Sequence, residues 1–407
     1  MTAEKIFGVI EGFYGPPWSH EERLSCIDFL EQSGGNTYVW AAKQEPRHRD
    51  QWSEPFTHDE REGFAQLAGR SSAVQLAVGI TPGDEATAHQ LINKLQPARD
   101  AGCSVIVLSF DDLPVLDAAA QHQHLAHEVL HTLQLPVWIV PTHYAGTTSS
   151  GYLQRLCEGL DPSIEVMWTG NAVVTDTITV AEAEARKIVA GNRAPLLWDN
   201  TPVNDARMRG HLHIGPYMGR EEALRDVCSG VLINPMEEFR ASLATLTSAS
   251  AWFKGQDRVA AWREYVEQHG LMLLAQATAY RGDDHWPGES PSRQWWESVT
   301  QMSVDDPQLE PWVSAAQQGA RLALVALSVL EAPEPLTQRE KSSAVHRLLG
   351  WGQYTSRAAR TFGAGPRVRP IATQNDDGRF VFDPSSISES VSLVDDLVRQ
   401  ALRALER

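Results

Sequence analysis

The chain has 407 residues, which is enough for one barrel-sized domain and a second, smaller one. With 42% hydrophobic and 21% charged residues, its composition is typical of a soluble globular protein. The net charge of −17 argues against nucleic acid or an anionic membrane as a partner, and no apolar run reaches the length of a membrane span.

The first 250 residues alternate short apolar runs with helical patterns. Such runs, rich in branched residues, are typical of strands buried on both faces. Several of the helices begin at capping boxes, which pair a Ser or Thr with a Glu three residues later. These boxes are Ser19 with Glu22, Thr57 with Glu60, and Thr179 with Glu182. The eight predicted strands are 7–13, 37–42, 75–80, 105–109, 137–140, 164–168, 195–198 and 230–233.

Eight strands alternating with helices over this length predict a (β/α)8 TIM barrel. A doubly wound open sheet is the competing fold, but no G-x-G-x-x-G motif follows any of the runs. Beyond residue 250 the strand-like runs disappear, and helical patterns cover 258–280, 311–331, 337–360 and 386–405. We therefore predict an α/β catalytic barrel at 1–250, followed by an all-α helical bundle domain at 251–407.

Four cysteines occur singly within the predicted elements: Cys26, Cys103, Cys157 and Cys228. This scatter indicates reduced side chains and neither a disulfide framework nor a zinc site. The N-terminus also lacks the charged and apolar regions of a signal peptide. Together these features predict a cytoplasmic protein.

Two adjacent carboxylates, Asp111 and Asp112, follow the fourth apolar run directly. Ionised carboxylates resist burial unless they are paired, and the carboxyl ends of barrel strands are where active sites are built. The alternative is that one aspartate caps the next helix and the other is solvated. Polar side chains after other strands favour a shared site, namely Lys43, Tyr144, Asn200 and Asn234.

A zinc-site motif also occurs, because His127-Glu128-Val129-Leu130-His131 fits H-E-x-x-H. Its helix is predicted to lie outside the barrel, where Val129 and Leu130 are needed for packing, and no third ligand follows at close spacing. We therefore predict no metal, with zinc as the alternative.

The aspartate pair is compatible with three chemistries. A hydrolase with an enzyme nucleophile needs two carboxylates about 5 Å apart, or further in an inverting enzyme, and these usually come from different strands. A metal site would require more oxygen ligands nearby. In substrate-assisted hydrolysis one acid orients a neighbouring acetamido group, which is the nucleophile, and the other protonates the leaving oxygen.

The segment from Gly8 to Trp18, G-V-I-E-G-F-Y-G-P-P-W, resembles the opening of glycoside hydrolase family 84. These are the β-N-acetylglucosaminidases that include protein O-GlcNAcase. The resemblance continues in order through Asn36-Thr37-Tyr38 with Lys43, Phe110-Asp111-Asp112, Pro141-Thr142-His143-Tyr144, Met167-Trp168-Thr169-Gly170, Trp198-Asp199-Asn200, Asn204-Asp205, Gly215-Pro216-Tyr217 and Asn234-Pro235. It implies a (β/α)8 barrel and no cofactor.

The resemblance also implies roles for individual residues. Asp111 would orient and polarise the 2-acetamido nitrogen, and Asp112 would be the general acid and then the base. The charge of Asp111 should raise the pKa of Asp112. Tyr144 would donate to the acetamido oxygen, and Trp198 would form a wall of the N-acetyl pocket. The remaining substrate-binding positions would be Gly8, through its backbone, and Lys43, Asn200, Asp205 and Asn234.

The function expected from this resemblance is that of an exo-β-N-acetylglucosaminidase. It would act on a GlcNAc-containing glycoside or glycoprotein with retention, by substrate-assisted catalysis through an oxazoline. An endo-acting enzyme of the hyaluronidase type and a non-catalytic GlcNAc-binding protein are the alternatives. Where many relatives have Lys-Asp-Asp, this chain has Lys43-Gln44-Glu45, so the rim of the sugar pocket is expected to differ.

Overall fold

In the computed structural model, eight parallel strands close into a barrel in which each strand pairs with the next and the eighth with the first. The structure describes residues 5–111, 118–279, 291–349, 367–368, 372–374, 380–382, 387–388 and 393–405. The strands are β1 (Ile6–Glu11), β2 (Thr37–Trp40), β3 (Gln75–Ile80), β4 (Val105–Ser109), β5 (Val137–Val140), β6 (Glu165–Trp168), β7 (Leu196–Asp199) and β8 (Gly230–Ile233).

Helices follow these strands and form the outer layer of the barrel. They are α1 (His20–Ser33), α2 (His58–Arg70), α3 (Ala88–Asp100), α4 (Ala119–Leu133), α5 (Gly151–Gly159), α6 (Val180–Val189), α7 (Leu224–Val227) and α8 (Phe239–Phe253). All three predicted capping boxes form, at the starts of α1, α2 and α6. The predicted (β/α)8 barrel is confirmed.

Side chains on each barrel strand alternate between two separate cores. On β4, Val105 and Val107 point into the barrel, whereas Ile106 and Leu108 pack against the surrounding helices. This alternation is the period-two pattern of any strand, applied here to a sheet that is buried on both faces. It places the residue at position 111 on the interior side, at the carboxyl end of the strand.

In the part of the chain that the structure describes, six helices follow the barrel and build a core of their own. They are α9 (Arg258–Gln268), α10 (Met272–Ala279), α11 (Arg293–Thr300), α12 (Glu310–Leu330), α13 (Gln338–Leu349) and α14 (Leu393–Leu405). The described residues of this region also include four short strands that the sequence did not predict: β9 (Arg367–Val368), β10 (Ala372–Gln374), β11 (Phe380–Phe382) and β12 (Ile387–Ser388). They form two antiparallel pairs, β10 with β11 and β12 with β9.

Helix α8 connects the barrel to this second core. Its residues Leu246, Ala249 and Trp252 belong to the barrel core, whereas Ala241 and Ala244 belong to the core of the C-terminal helices. A domain boundary near residue 250 therefore falls in the last turn of α8. The division into domains at 250 and 251 stays a prediction.

Helix α12 is long and apolar enough to pass for a membrane span by length and composition. The prediction that no apolar run reaches the length of a membrane span is therefore wrong for α12. However, the helix has Trp312, Ala316 and Ala320 buried in the C-terminal core, where α11 and α14 pack against it. The core helix of a soluble protein has the same length and composition, so α12 is weak evidence for a membrane.

Candidate active site

An ion pair joins the ends of β2 and β4 at the mouth of the barrel. Lys43 Nζ lies 2.6 Å from Asp111 Oδ2, and only 6% of Lys43 and 5% of Asp111 are exposed. The other carboxylate oxygen, Asp111 Oδ1, is buried and has no hydrogen-bond partner among the residues that the structure describes. An unsatisfied buried acceptor is costly unless a ligand occupies it, so this oxygen is suited to receive an N–H or O–H of a substrate.

The charge state of Asp111 results from two opposing effects. Burial alone would raise the pKa of this carboxyl, but the charge of Lys43 and the hydrogen bond from it lower the pKa. The net effect places the pKa of Asp111 below its ordinary value. Asp111 is therefore a carboxylate at neutral pH, although it lies almost entirely away from solvent.

A chain of side-chain amides crosses the ends of β1, β7 and β8. The backbone N–H of Gly12 donates to Asn234 Oδ1 at 3.2 Å, and Asn234 Nδ2 donates to Asn200 Oδ1 at 2.8 Å. Asn200 Oδ1 also accepts from Trp198 Nε1 at 2.9 Å, and its Nδ2 donates to the carbonyl of Val173 at 2.6 Å. These bonds engage both the oxygen and the nitrogen of each side-chain amide and so determine its orientation.

Trp198 connects the amide chain to the ion pair. The Lys43 ammonium lies 5.4 Å from the centroid of the indole ring, which is within the range of a cation–π contact. On another side the ring lies against Gly12, where an added Cβ would come within 2.2 Å of a ring carbon. Glycine at position 12 thus leaves room for the indole ring beside the Lys43–Asp111 pair.

Tyr144 lies in the loop after β5 and belongs to the same interior cluster as Trp198 and Met167. Only 6% of it is exposed, and its carbonyl accepts from Thr169 N at 3.0 Å, which ties the loop to the end of β6. The structure thus brings together at one mouth Lys43, Asp111, Tyr144, Trp198, Asn200 and Asn234.

Asp205 lies on the rim of this site and not at its floor. Its Oδ2 accepts from the backbone N–H of Tyr14 at 2.7 Å. Tyr14, with 37% of its surface exposed, also accepts a hydrogen bond through its hydroxyl from Arg49 Nη1 at 2.7 Å. Asp205 therefore positions the loop after β1, and its contact with a sugar stays a prediction.

Two predicted site residues need separate treatment. Asp112 falls outside the described residues, so its role as general acid stays a prediction. Gly8 is not among the residues that meet at the mouth, because it lies within β1, in register with Thr37 of β2 and Leu232 of β8. Its backbone belongs to the barrel wall, and an added Cβ would clash with the Thr37 carbonyl. Gly12, which the sequence did not single out, lies at the mouth instead and contacts Asn234 and Trp198.

His48 lies near the Lys43–Asp111 pair, and the sequence did not predict it as a site residue. It is fully buried, and its Nδ1 lies 2.9 Å from the Gly79 carbonyl oxygen. Burial, reinforced by the charge of Lys43, lowers the pKa of His48 to about 3. A neutral ring here leaves Lys43 as the cation nearest to Asp111.

The predicted difference at Lys43-Gln44-Glu45 has a structural counterpart. Glu45 Oε1 accepts from Arg23 Nη2 at 2.6 Å, and the same guanidinium pairs with the buried Glu11 at 2.8 Å. Glu45 is thus engaged with a cation on α1, so this departure from the family pattern affects the anchoring of the loop after β2.

The H-E-x-x-H motif lies on α4, on the outside of the barrel as predicted. The rings of His127 and His131 are 6.3 Å apart, and His127 Nε2 already accepts from the backbone N–H of Asp161 at 2.9 Å. Across the part of the chain that the structure describes, no group of three or more His, Cys, Asp or Glu side chains is placed to hold a metal ion.

Taken together, the mouth offers one charged acceptor, amide donors and acceptors, a tyrosine and a flat indole wall. This set suits a small, neutral ligand rich in hydroxyl and amide groups, with an apolar face for the indole. A secondary amide such as an acetamido group matches it closely, because its N–H can bind Asp111 and its methyl can pack on Trp198.

Comparison with known proteins also indicates a site for an N-acetylated sugar. Residues 7–277, about two thirds of the chain, match a family model described as beta-N-acetylglucosaminidase. Protein O-GlcNAcase from Rattus norvegicus and from Mus musculus are each 34% identical over 276 residues, which is 61% of this chain and 30% of theirs. The chain therefore spans about 30% of the length of these curated relatives.

Solved structures agree on the fold over nearly the whole chain. A mutant O-GlcNAc hydrolase from Thermobaculum terrenum has a TM-score of 0.75 at 22% identity, covering 98% of this chain and 94% of that chain. The structure of CpGH84B has a TM-score of 0.77 at 21% identity, covering 98% and 77%. Because the family model matches more than half of its length, the chain belongs to the β-N-acetylglucosaminidase family of glycoside hydrolases.

Proposed function

We propose that this protein removes terminal N-acetyl-β-glucosamine from glycosides or glycoproteins, in an exo-acting manner and with retention of configuration. The observation that carries the proposal is the buried Lys43–Asp111 pair with its unoccupied Oδ1 beside the Trp198 wall. A neutral sugar substrate with an acetamido group supplies the N–H that this oxygen lacks.

The acetamido oxygen of the substrate is the nucleophile in this mechanism. Asp111 accepts the acetamido N–H, so its negative charge stabilises the positive charge that develops as the oxazoline ring closes. Its lowered pKa supports this role, because a protonated Asp111 would offer no such stabilisation. Tyr144 donates to the acetamido oxygen and aligns it with the anomeric carbon.

Asp112 protonates the leaving oxygen and then deprotonates the water that opens the oxazoline. This assignment rests on the family resemblance and on the adjacency of the two acids, since like charges close together keep one of them protonated. Lys43, Asn200, Asn234 and Asp205 hold the hydroxyl groups of the sugar. The backbone N–H of Gly12 is engaged with Asn234, so Gly12 contributes by admitting the indole.

The cysteines and the net charge of the chain support a cellular location and a class of substrate for the protein. All four cysteines are unpaired and buried. Free thiols are typical of reducing compartments, which supports a cytoplasmic location. The net charge of −17 supports a neutral substrate over nucleic acid or an acidic polysaccharide.

Hydrolysis of an aryl N-acetyl-β-glucosaminide, followed by nuclear magnetic resonance, tests this function. The first sugar released should be the β-anomer, and a thiazoline mimic of the bicyclic intermediate should inhibit. Asp111→Asn should lower kcat by about 100-fold or more, since it removes the charge that stabilises the oxazoline. Asp112→Asn should lose most on substrates with poor leaving groups.

Asp100→Asn, on the exposed end of α3, is the matched control and should keep full activity. Activity that survives both Asp111→Asn and Asp112→Asn would refute substrate assistance by this pair. Binding of N-acetylglucosamine without turnover would instead favour a sugar-binding protein, and internal cleavage of a polymer would favour the endo-acting alternative.

A further inference from the structure

Behind Asp111 and Tyr144, four buried side chains form a closed circuit of contacts. We call it the positioning ring, and it consists of Phe110, His122, Thr142 and Tyr152. Each of the four is at most 5% exposed. Phe110 directly precedes Asp111, and Thr142 lies two residues before Tyr144, so the circuit joins the two loops that carry these groups.

Two hydrogen bonds made by members of the ring run along the edge between β4 and β5. The backbone N–H of Phe110 donates to the Val140 carbonyl at 2.8 Å, which extends the ladder between the strands by one residue. Thr142 Oγ1 then donates to the Phe110 carbonyl at 2.9 Å. A side-chain hydroxyl thus continues the pairing of the two strand ends beyond the point where the regular ladder stops.

The other contacts close the circuit through α4 and α5. The backbone N–H of Thr142 donates to the Tyr152 hydroxyl at 3.1 Å, and the proton of that hydroxyl is available for His122 Nδ1 at 2.8 Å. The His122 ring stacks on Phe110 with centroids 3.8 Å apart and planes within 6° of parallel. Each member therefore has its position determined by two others.

A separate contact holds the same loop from its other side. The buried Arg186 guanidinium on α6 donates to the carbonyls of His143, at 2.8 Å, and Gly146, at 3.4 Å. These carbonyls lie on either side of Tyr144 in the chain. The loop that carries Tyr144 is thus fixed at both ends by side chains that lie outside the sugar-facing surface.

We propose that Thr142, Tyr152 and His122 are positioning residues, which set the separation between Asp111 and Tyr144 to fit one acetamido group. This rests on the proposed function, in which Asp111 accepts the acetamido N–H and Tyr144 donates to its oxygen. The amide has a fixed length, so the two protein groups must be held at a fixed spacing. All three positioning residues are buried, and in this proposal they act through Asp111 and Tyr144.

The expected effect is on catalysis more than on substrate binding. A displacement of about 1 Å in the position of a group at the reacting centre can reduce the rate about 100-fold. The transition state requires both groups on the acetamide at once, and the ground state tolerates one loose contact. Positioning variants should therefore lower kcat more than they raise KM.

The test uses Tyr152→Phe and Thr142→Val in the full chain, each of which removes one hydroxyl and keeps the side-chain shape. Thr278→Val and Tyr265→Phe in the C-terminal helices are the matched controls, since Thr278 is also buried and donates to a helix carbonyl. We expect each ring variant to lower kcat about 10- to 100-fold with KM changed less than about threefold. The controls should leave both constants unchanged.

Affinity measurements separate positioning from general damage. The thiazoline mimic of the intermediate should bind the ring variants more weakly, in parallel with the loss of kcat, while N-acetylglucosamine binds as before. If the ring variants match the controls, or if they lose affinity for both ligands alike, the positioning inference is wrong but the proposed function still stands. A wild-type chain without activity on the aryl glucosaminide would overturn the proposed function, and the inference with it.

Discussion

Lys43 has an electrostatic role that can be separated from its role in binding. Its charge opposes the effect of burial on Asp111 and keeps the pKa of that carboxyl below its ordinary value. In Lys43→Met the side chain keeps its approximate length and loses its charge. Burial then dominates, so the pKa of Asp111 should rise.

We therefore expect the acid limb of the kcat/KM profile of Lys43→Met to move to higher pH. Asp111 is active as the carboxylate, so activity is lost as pH falls through its pKa, and a raised pKa brings that loss closer to neutrality. Activity at pH 7 should fall by about 100-fold, because a charged contact at the reacting centre is also lost. A pH–rate profile from pH 4 to 8 measures both effects.

The control for this variant is Lys187→Met, which removes a half-exposed lysine paired with Glu184 on α6. It should leave the profile unchanged. If Lys43→Met lowers activity but leaves the acid limb in place, then Lys43 acts only as a contact for the sugar.

The choice between Gly8 and Gly12 shows what limits prediction at the scale of single residues. Both glycines belong to the same motif, and the sequence predicts a strand over 7–13. The structure ends β1 at Glu11, which makes Gly12 the first residue beyond the strand and leaves Gly8 inside it. Strand ends are not defined by apolar patterning, because an apolar Phe13 continues the run after the pairing has stopped.

At the scale of the element, the alternation of side-chain direction along a strand explains why Asp199 does not belong to the active site. Trp198 and Asn200 face the barrel interior, so Asp199 between them faces the helices. There Asp199 forms a bidentate pair with Arg220 at 2.6 and 2.7 Å and accepts from the Tyr217 hydroxyl at 2.5 Å. Asp199 is therefore a structural acid, although it adjoins the active site in sequence.

We expect Arg220→Met to destabilise the protein strongly. Asp199 is fully buried, and removing its cation leaves a carboxylate without its partner, which costs about 3–5 kcal/mol in comparable cases. Chemical denaturation with urea, monitored by circular dichroism, measures the free energy of unfolding. Arg70→Met is the matched control, since Arg70 forms a bidentate pair with Asp28 at the surface.

Solvent replaces the lost contact at the surface pair, so the control should be far less affected. Equal losses in the two variants would show that Asp199 is stabilised mainly by Tyr217 and the surrounding backbone. The sequence could not indicate this pair, because Arg220 lies 21 residues from Asp199, on a loop with no regular pattern.

The barrel strands themselves were readily predicted. Runs 75–80, 105–109, 137–140 and 230–233 coincide with β3, β4, β5 and β8, and the other four differ from the observed strands by one or two residues at one or both ends. A strand buried on both faces must be apolar along its whole length, which makes it visible in the sequence. The meeting of the strand ends at one mouth then follows from the closed parallel topology.

At the scale of the whole molecule, the C-terminal region shows where such patterns fail. The apolar pattern over 258–280 predicts one helix, but the structure has α9 and α10, separated at Gly270 with φ of 65°. A single glycine within a helical pattern can be tolerated, so the sequence alone does not decide between a continuous helix and a break. The strands β9 to β12 have two or three residues each, too few to show a period.

Acid sensitivity of the whole molecule follows from its buried histidines. Burial lowers the pKa of His122 to about 4, and burial with the charge of Lys43 lowers that of His48 to about 3. An unfolded histidine has a pKa of about 6.5, so between that pH and the folded value the unfolded chain binds protons that the folded chain does not. Stability should therefore fall as pH decreases from about 6.5 to 4.

The contribution of His122 can be isolated with His122→Gln. One buried histidine of this kind lowers the free energy of unfolding by about 1.4 kcal/mol for each pH unit in this window. Between pH 6 and pH 4.5 the slope of the free energy of unfolding against pH should therefore be about 1.4 kcal/mol per pH unit smaller in the variant than in the wild type. Urea denaturation at pH 7, 6, 5 and 4.5 gives the slope. His124→Gln, at an exposed position on the same helix, is the matched control and should keep the wild-type slope. If His122→Gln has the wild-type slope as well, the folded protein accepts a proton at His122 and the acid sensitivity must come from other groups.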